Sequence, residues 1–174
     1  MKKNIWLWQL GGITFVSVLG SILHFLYGWT NNNKIVALFS SVNESTWEHM
    51  KLLFFPALIY AIFQSFFSKK EFNSFWCVKL IGTSLGLILI PTFFYTSTGI
   101  FGTLPGWLNV IIFFVSVVLG FYYETFLFNK NYKTNCQKIC IILFIIIAIL
   151  FFIFTYFPPK IPLFLDPVFN IYGA

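Results

Sequence analysis

Ile139-Cys140-Ile141-Ile142-Leu143-Phe144-Ile145-Ile146-Ile147-Ala148-Ile149-Leu150-Phe151-Phe152-Ile153-Phe154-Thr155-Tyr156-Phe157 runs without one charged side chain. It is too long for an ordinary strand and apolar on every side, so no face of it is made for water. Crossing a ~30 Å hydrocarbon core takes about 20 apolar residues as helix. Helix is also the only choice for a lone segment in lipid, where an unpaired N–H or C=O finds no water.

Working outward, four further stretches meet the same test: Ile5–Tyr27, Trp47–Phe67, Phe75–Tyr95 and Leu104–Phe128. The 174 residues are 59% hydrophobic and 9% charged, with a mean hydropathy of +0.85. A water-soluble domain carries roughly 25% charged residues, so lipid is the natural solvent here. The expected fold is all-α: one transmembrane domain over 1–174, a polytopic bundle of about five helices, and a Pro-rich tail over 158–174. Pro158, Pro159, Pro162 and Pro167 bar that tail from forming a sixth span. The start, Met1-Lys2-Lys3 before an apolar run, resembles a signal peptide, but the run is long and no small-residue cleavage site follows. The first segment is expected to stay as a helix.

Lysines fix the orientation. With the N-terminus inside, the cytoplasmic segments hold Lys2, Lys3, Lys69, Lys70, Lys79, Lys130, Lys133 and Lys138, against Lys34, Lys51 and Lys160 outside. The tryptophans agree: Trp6, Trp8 and Trp76 fall at the inner interface and Trp29, Trp47 and Trp107 at the outer one. In the outer loop, Thr30-Asn31-Asn32-Asn33 marks a turn, and Ile35–Phe39 is too short to span and should lie along the interface. Pro56 interrupts the second span, where its ring clashes with the carbonyl of Leu52 and is expected to kink the helix.

The net charge of +6 does not imply a nucleic-acid partner. All eleven basic residues are Lys, and no Arg offers the bidentate fork that grips phosphate or guanine. Membrane lipid is the expected partner. Cys77, Cys136 and Cys140 map to the cytoplasmic side and read as reduced, structural thiols. Cys136 and Cys140 share an i,i+4 spacing, but no His stands near to complete a metal site.

Chemistry concentrates at the outer face. Both histidines, His24 and His49, fall there, with Glu44, Glu48 and Asp166. Polar groups at the bilayer are costly and point to function by default. Ser17, Gly20 and Ser21 share the stripe of His24 and turn it toward a neighbouring helix. The candidate ligand-binding set is His24, Asn43, Glu44, Glu48, His49, Lys51 and Asp166. The candidate metal set is His24, His49, Glu48 and Asp166, for a divalent ion such as zinc. Each has a bland counterpart. Ser45 and Glu48 fit a capping box, Glu48 and Lys51 can pair at i,i+3, and Asp166 before Pro167 can open a turn. Lys79 and Glu124, near the inner ends of their spans, can snorkel or pair.

His24-Phe25-Leu26-Tyr27-x-Trp29, then Ser41-Val42-Asn43-Glu44-Ser45-x-Trp47-Glu48-His49-x-Lys51-Leu52, and Pro158-Pro159-x-Ile161-Pro162-Leu163-Phe164-x-Asp166-Pro167 with Tyr172-Gly173, resemble an uncharacterised bacterial integral membrane protein family, domain of unknown function 6512. The resemblance covers nearly the whole chain. One departure is Lys160, where the family is expected to carry His. It implies a multi-pass protein of a bacterial cell membrane and no mechanism.

Three functions fit. The first is binding or transport of an ion or small polar ligand through an outer pocket. The second is a membrane-embedded metal-dependent hydrolase, with His24 and His49 as ligands, one acid as third ligand and another as general base. The third is a structural or regulatory subunit, which needs no pocket; under the first, Ala57-x-x-x-Ala61 offers a face for docking a helix of a partner membrane subunit.

Overall fold

The computed structural model describes residues 5–68 and 74–174. Lys2, Lys3, Lys69 and Lys70, which weigh in the lysine asymmetry, lie outside the described residues. Five long helices carry the fold: α1 (Ile5–Trp29), α3 (Thr46–Ser68), α4 (Phe75–Phe101), α5 (Gly106–Asn129) and α6 (Gln137–Tyr156), with a one-turn α2 (Lys34–Ala37) between the first two. All five are long and apolar enough to cross a membrane, and each falls on an expected span. Among the described residues the only β pairing is an isolated bridge between Leu165 and Tyr172.

Local chemistry sets the ends. Asn31 and Asn32 adopt φ of 53° and 57°, and the Asn32 N–H reaches back to the Tyr27 carbonyl at 3.0 Å. That left-handed stop closes α1, and Asn is among the few residues to accept it cheaply. Asn33 then caps α2, its side-chain oxygen accepting from the Ile35 amide at 2.8 Å. Ile35 and Phe39 are exposed while Ala37 is buried, which suits a segment lying on a bundle end. α4 outruns its expected end at Tyr95 by almost two turns. It stops at Gly102, whose φ is 78° and whose N–H bonds the Thr98 carbonyl at 2.9 Å.

α1, α3, α4 and α5 form a closed ring in which each packs on two neighbours, and α6 lies against α4 and α3. Glycine makes the close approaches possible. The Leu52 carbonyl, left without an N–H partner by Pro56, faces Gly20 of α1, where a Cβ would sit 2.6 Å from it. A Cβ on Gly120 would lie 2.8 Å from the Gly82 carbonyl across the α4–α5 seam. Ala57 and Ala61 are buried in this packing, so the small-residue pair serves the bundle's own interior. Trp47 is also drawn inward, its ring 4.5 Å from Phe151 and 4.8 Å from Phe164, while Trp6, Trp29 and Trp107 stay exposed.

Two buried ion pairs brace opposite ends. Near the starts of α1 and α4, Lys79 Nζ lies 2.7 Å from Glu124 Oε2, and Gln9 donates to the same oxygen at 3.2 Å. Both charges are sealed, so they pair and do not snorkel. At the end carrying the tail, Lys51 Nζ lies 2.6 Å from Glu48 Oε2 and donates to the Ala37 carbonyl and the Thr155 hydroxyl, each at 2.9 Å. One ammonium thus ties α2, α3 and α6 together. Glu48 also accepts from the Val42 amide at 3.0 Å. The capping box forms only in half: Ser45 Oγ accepts the Glu48 amide at 3.3 Å, but Asn43, not Glu48, accepts the Ser45 amide, at 2.9 Å.

The cysteine reading needs correction. Cys77 of α4 and Cys140 of α6 are joined by a disulfide, and Cys136 is the free thiol among the described residues. Both helices start at the same bundle end, where Ser74 Oγ accepts the Thr134 amide at 2.7 Å and Gln137 accepts the Trp76 amide at 3.3 Å. Those ties bring the two Cα atoms to 5.2 Å, a separation that a disulfide requires. Parity could not see which two helices touch, and the link stands at the end that the lysines assign to the cytoplasm, where disulfides are rare.

Two outcomes follow. Non-reduced peptide mapping should recover Cys77 linked to Cys140 with Cys136 alkylated, and Cys77→Ser should lower the unfolding free energy in detergent by about 2–4 kcal/mol. Lys51→Met should cost about 3–5 kcal/mol by stranding a buried Glu48 carboxylate, and Glu48→Leu added to it should restore much of the loss. A double variant no more stable than Lys51→Met would contradict the account of the pair.

Candidate functional site

His24 enters from the last two turns of α1, His49 from the first turn of α3, and Glu44 from the loop between them. The loop is held on both sides. Ser40 Oγ accepts from the Tyr27 amide at 3.0 Å and donates to the Leu23 carbonyl, the two groups that an i→i−4 bond would join. The hydroxyl is thereby docked on α1 beside His24. Ser41 Oγ donates to the Asn43 carbonyl at 2.6 Å, and Asn43 Nδ2 donates to the Gly173 carbonyl at 3.0 Å.

The tail completes the clamp. Asp166 Oδ1 accepts from the amides of Val168 and Phe169 at 2.6 and 3.0 Å, an Asx turn built around Pro167. Its other oxygen accepts the Glu44 amide at 3.0 Å. Asp166 is fully buried, so it opens the turn and also sets the backbone from which the Glu44 side chain projects. The Ala174 amide bonds the Thr155 carbonyl at 2.9 Å, and Phe164 packs beside Trp47. The tail therefore folds back over the mouth of the bundle.

The three side chains then converge. His24 Nε2 lies 3.6 Å from Glu44 Oε1, and His49 Nε2 lies 3.5 Å from Glu44 Oε2. One candidate ligand atom from each residue falls within 4.8 Å of the others, and the imidazole centroids are 5.4 Å apart. Neither contact is a normal N–H···O hydrogen bond, which spans about 2.7–3.2 Å. The Nε2–Glu44 separations are slightly wider than the edge of roughly 3.3 Å that follows from zinc bond lengths of ~2.0–2.1 Å in a tetrahedron.

The tautomer of His49 is fixed by its surroundings. Its Nδ1 lies 2.9 Å from the Ser45 carbonyl. A carbonyl only accepts, so Nδ1 carries the proton. In neutral His49 the lone pair at Nε2 is therefore aimed at a carboxylate oxygen. A second N–H held by a backbone carbonyl is the usual support of a metal-bound imidazole.

Beside the cluster lies a pocket of ≈ 330 Å³ between α1 and α5, reaching from His24, Glu44 and His49 down to Gly20, Leu52 and Phe113. Its walls are mainly apolar, and Asn109 is the polar group that α5 adds. Asn109 Oδ1 and His24 Nδ1 are buried and have no hydrogen-bond partner in the protein.

Of the residues that the sequence singles out, the structure brings together His24, Glu44 and His49. Asn43 and Asp166 position the loop, and Glu48 and Lys51 hold each other. The sequence assigns Glu48 and Asp166 to a metal beside the two imidazoles; in the structure Glu44 stands at that place. Asn109 was missed, although a lone amide in the outer third of an apolar span was signal enough to find it.

No curated protein and no solved structure matches the chain. Residues 1–174 match the sequence profile described as Family of unknown function (DUF6512). The match spans every helix, the loop of Glu44 and the tail that holds it, and the chain belongs to that family.

Proposed function

We propose that the chain is a multi-pass membrane protein that binds a divalent transition-metal ion, zinc in the first place, at its outer face. His24, Glu44 and His49 are the ligands, and the ion's open coordination position faces the adjoining pocket. The observation that carries this reading is the convergence of three side chains, each bringing one possible ligand atom to within 4.8 Å of the others. With Nδ1 bonded to the Ser45 carbonyl, Nε2 is the nitrogen that His49 offers to an ion; it lies 3.5 Å from one Glu44 oxygen, and His24 Nε2 lies 3.6 Å from the other. A cation between them would join the carboxylate to both imidazoles at separations that are too wide for good hydrogen bonds. Two imidazoles and one carboxylate are also a donor set of the catalytic-zinc type, which keeps a fourth position open. The outer placement rests on the lysine asymmetry.

Binding is favoured over hydrolysis by where the other acids are spent. A metal-dependent hydrolase needs a base for the metal-bound water. Among the described residues Glu48 is held by Lys51, Glu124 by Lys79, and Asp166 by three backbone amides. Among the described residues no second side-chain carboxylate is left to take a proton beside the cluster.

Purified full-length protein should bind about one equivalent of zinc or cobalt(II), the latter with the visible absorption of a tetrahedral site. His24→Ala, His49→Ala and Glu44→Ala should each weaken binding by at least tenfold, an effect of about 1.4 kcal/mol or more. Glu124→Gln, at the far end, should not. Because imidazoles bind metal only when deprotonated, affinity should fall as the solution is acidified. Folded protein that takes up no metal, or binds it equally well in both histidine variants, would remove the metal site.

A further inference from the structure

We infer that the pocket beside the cluster takes an amphiphile with an anionic head, a carboxylate or a phosphate, which enters sideways from the bilayer between α1 and α5. The inference rests on the metal reading above and adds the class of ligand. Its first support is the pocket's position on the bundle. Phe25 of α1 and Val110 and Phe114 of α5 line it, yet they are 55%, 52% and 37% exposed. They form a rim on the outer flank of two membrane-spanning helices, where the neighbour is lipid.

Depth points the same way. Trp29 and Trp107, both exposed, mark the interfacial ends of α1 and α5. Phe25 lies one turn below Trp29, and Phe114 lies seven residues below Trp107, about 10 Å at ~1.5 Å per residue. The pocket thus runs from headgroup level into the hydrocarbon. A ligand arriving from water has no use for an apolar side door at that depth.

The chemistry is split along the same axis. The polar atoms gather at the His24, Glu44, His49 and Asn109 end, and the remainder of the lining is apolar except for Ser21, whose hydroxyl donates to the Ser17 carbonyl of its own helix. A divalent ion held by neutral imidazoles and one carboxylate keeps a positive charge, which an anionic head would neutralise at the open position. Within the lining, His24 Nδ1 is buried without a partner in the protein. When Nε2 binds the metal, Nδ1 carries the proton and becomes a donor for a head oxygen. At ≈ 330 Å³ the space is at the lower end of the ~300–1,000 Å³ typical of ligand sites. It accommodates a head and the first part of a chain, and the rest of the chain stays in lipid.

The test uses the full chain in detergent, loaded with cobalt(II), with dodecyl phosphate as probe. Native mass spectrometry counts bound probe, and the cobalt absorption reports on the open position. Dodecyl phosphate should bind as a discrete adduct, shift the cobalt spectrum, and do so at concentrations at least tenfold below those needed for inorganic phosphate. Dodecyltrimethylammonium should do neither. Val110→Trp, which fills the rim from an exposed position, and Ser21→Phe as a second variant, should abolish the adduct while cobalt affinity stays within about twofold. Inorganic phosphate acting as well as dodecyl phosphate would mean a water-soluble anion and overturn the inference. Dodecyl phosphate bound undiminished by both variants would overturn it too. Either result with cobalt still bound leaves the metal site standing; loss of cobalt binding in the unaltered chain strikes the metal site itself.

Discussion

A lysine ammonium sealed among helices must be neutralised where it stands, and around Lys51 that requirement organises the whole tail end of the bundle. Its three partners come from three places: Glu48 on its own helix, the Ala37 carbonyl at the end of α2, and Thr155 near the end of α6. Leaving any of them unmade would cost more than an ordinary hydrogen bond, because the charge has no water to fall back on. The pair therefore contributes geometry more than net stability. It fixes α2 against α3, and α2 leads into the segment from Ser40 to Ser45 that carries Glu44. Glu48 extends the same constraint to the Val42 amide. The candidate ligands converge because a neighbouring charge left the loop little choice.

The tail acts on the same loop from the other side. Asp166 satisfies two amides of its own turn and one of the Glu44 loop, so one buried carboxylate joins segments that lie 122 residues apart. Asn43 repeats the link to Gly173. Gly173 is needed for its backbone: it holds φ at 72°, and a Cβ there would meet Pro158 at 3.0 Å. With Pro158 limiting how the chain leaves α6, the tail has a narrow path back over the mouth. A partly exposed glutamate on a loop is ordinarily a loose group. Here its backbone is gripped by partners from both directions while its carboxylate stays reachable.

The five helices were legible because each depends on a signal that sums over many residues. No single side chain in Ile139–Phe157 decides that span, and the expected and observed limits differ there by two residues at the start and one at the end. α4 was misjudged at its end because a helix does not stop where apolar residues stop. Thr98 and Gly102 carry it on and then close it by hydrogen bonds that hydropathy does not register. The site was legible as a neighbourhood and not as an arrangement. His24, His49 and three acids could be placed at one face by counting spans. Which acid faces the imidazoles depended on Lys51, whose side chain claims Glu48, and on a turn that turns Asp166 toward backbone amides. The Cys77–Cys140 link was hidden for a related reason: it needs to be known that α6 packs on α4.

The distribution of acids gives the cluster its meaning. The chain has only five, and among the described residues three are fully committed: Glu48 and Glu124 to lysines, Asp166 to backbone amides. Each sits in a place where its charge is answered by the protein itself. Glu44 differs. Its side chain is 41% exposed, no lysine among the described residues pairs with it, and its neighbours are two imidazoles held too far away for good hydrogen bonds. An exposed glutamate in water would need no partner at all. This one is kept beside two imidazoles by a loop whose backbone is tied down at Ser40, Asn43 and Asp166. A cation supplied from outside is what would answer its charge, and His24 Nδ1, unpartnered within the protein, extends the same argument from the ion to the ligand beside it.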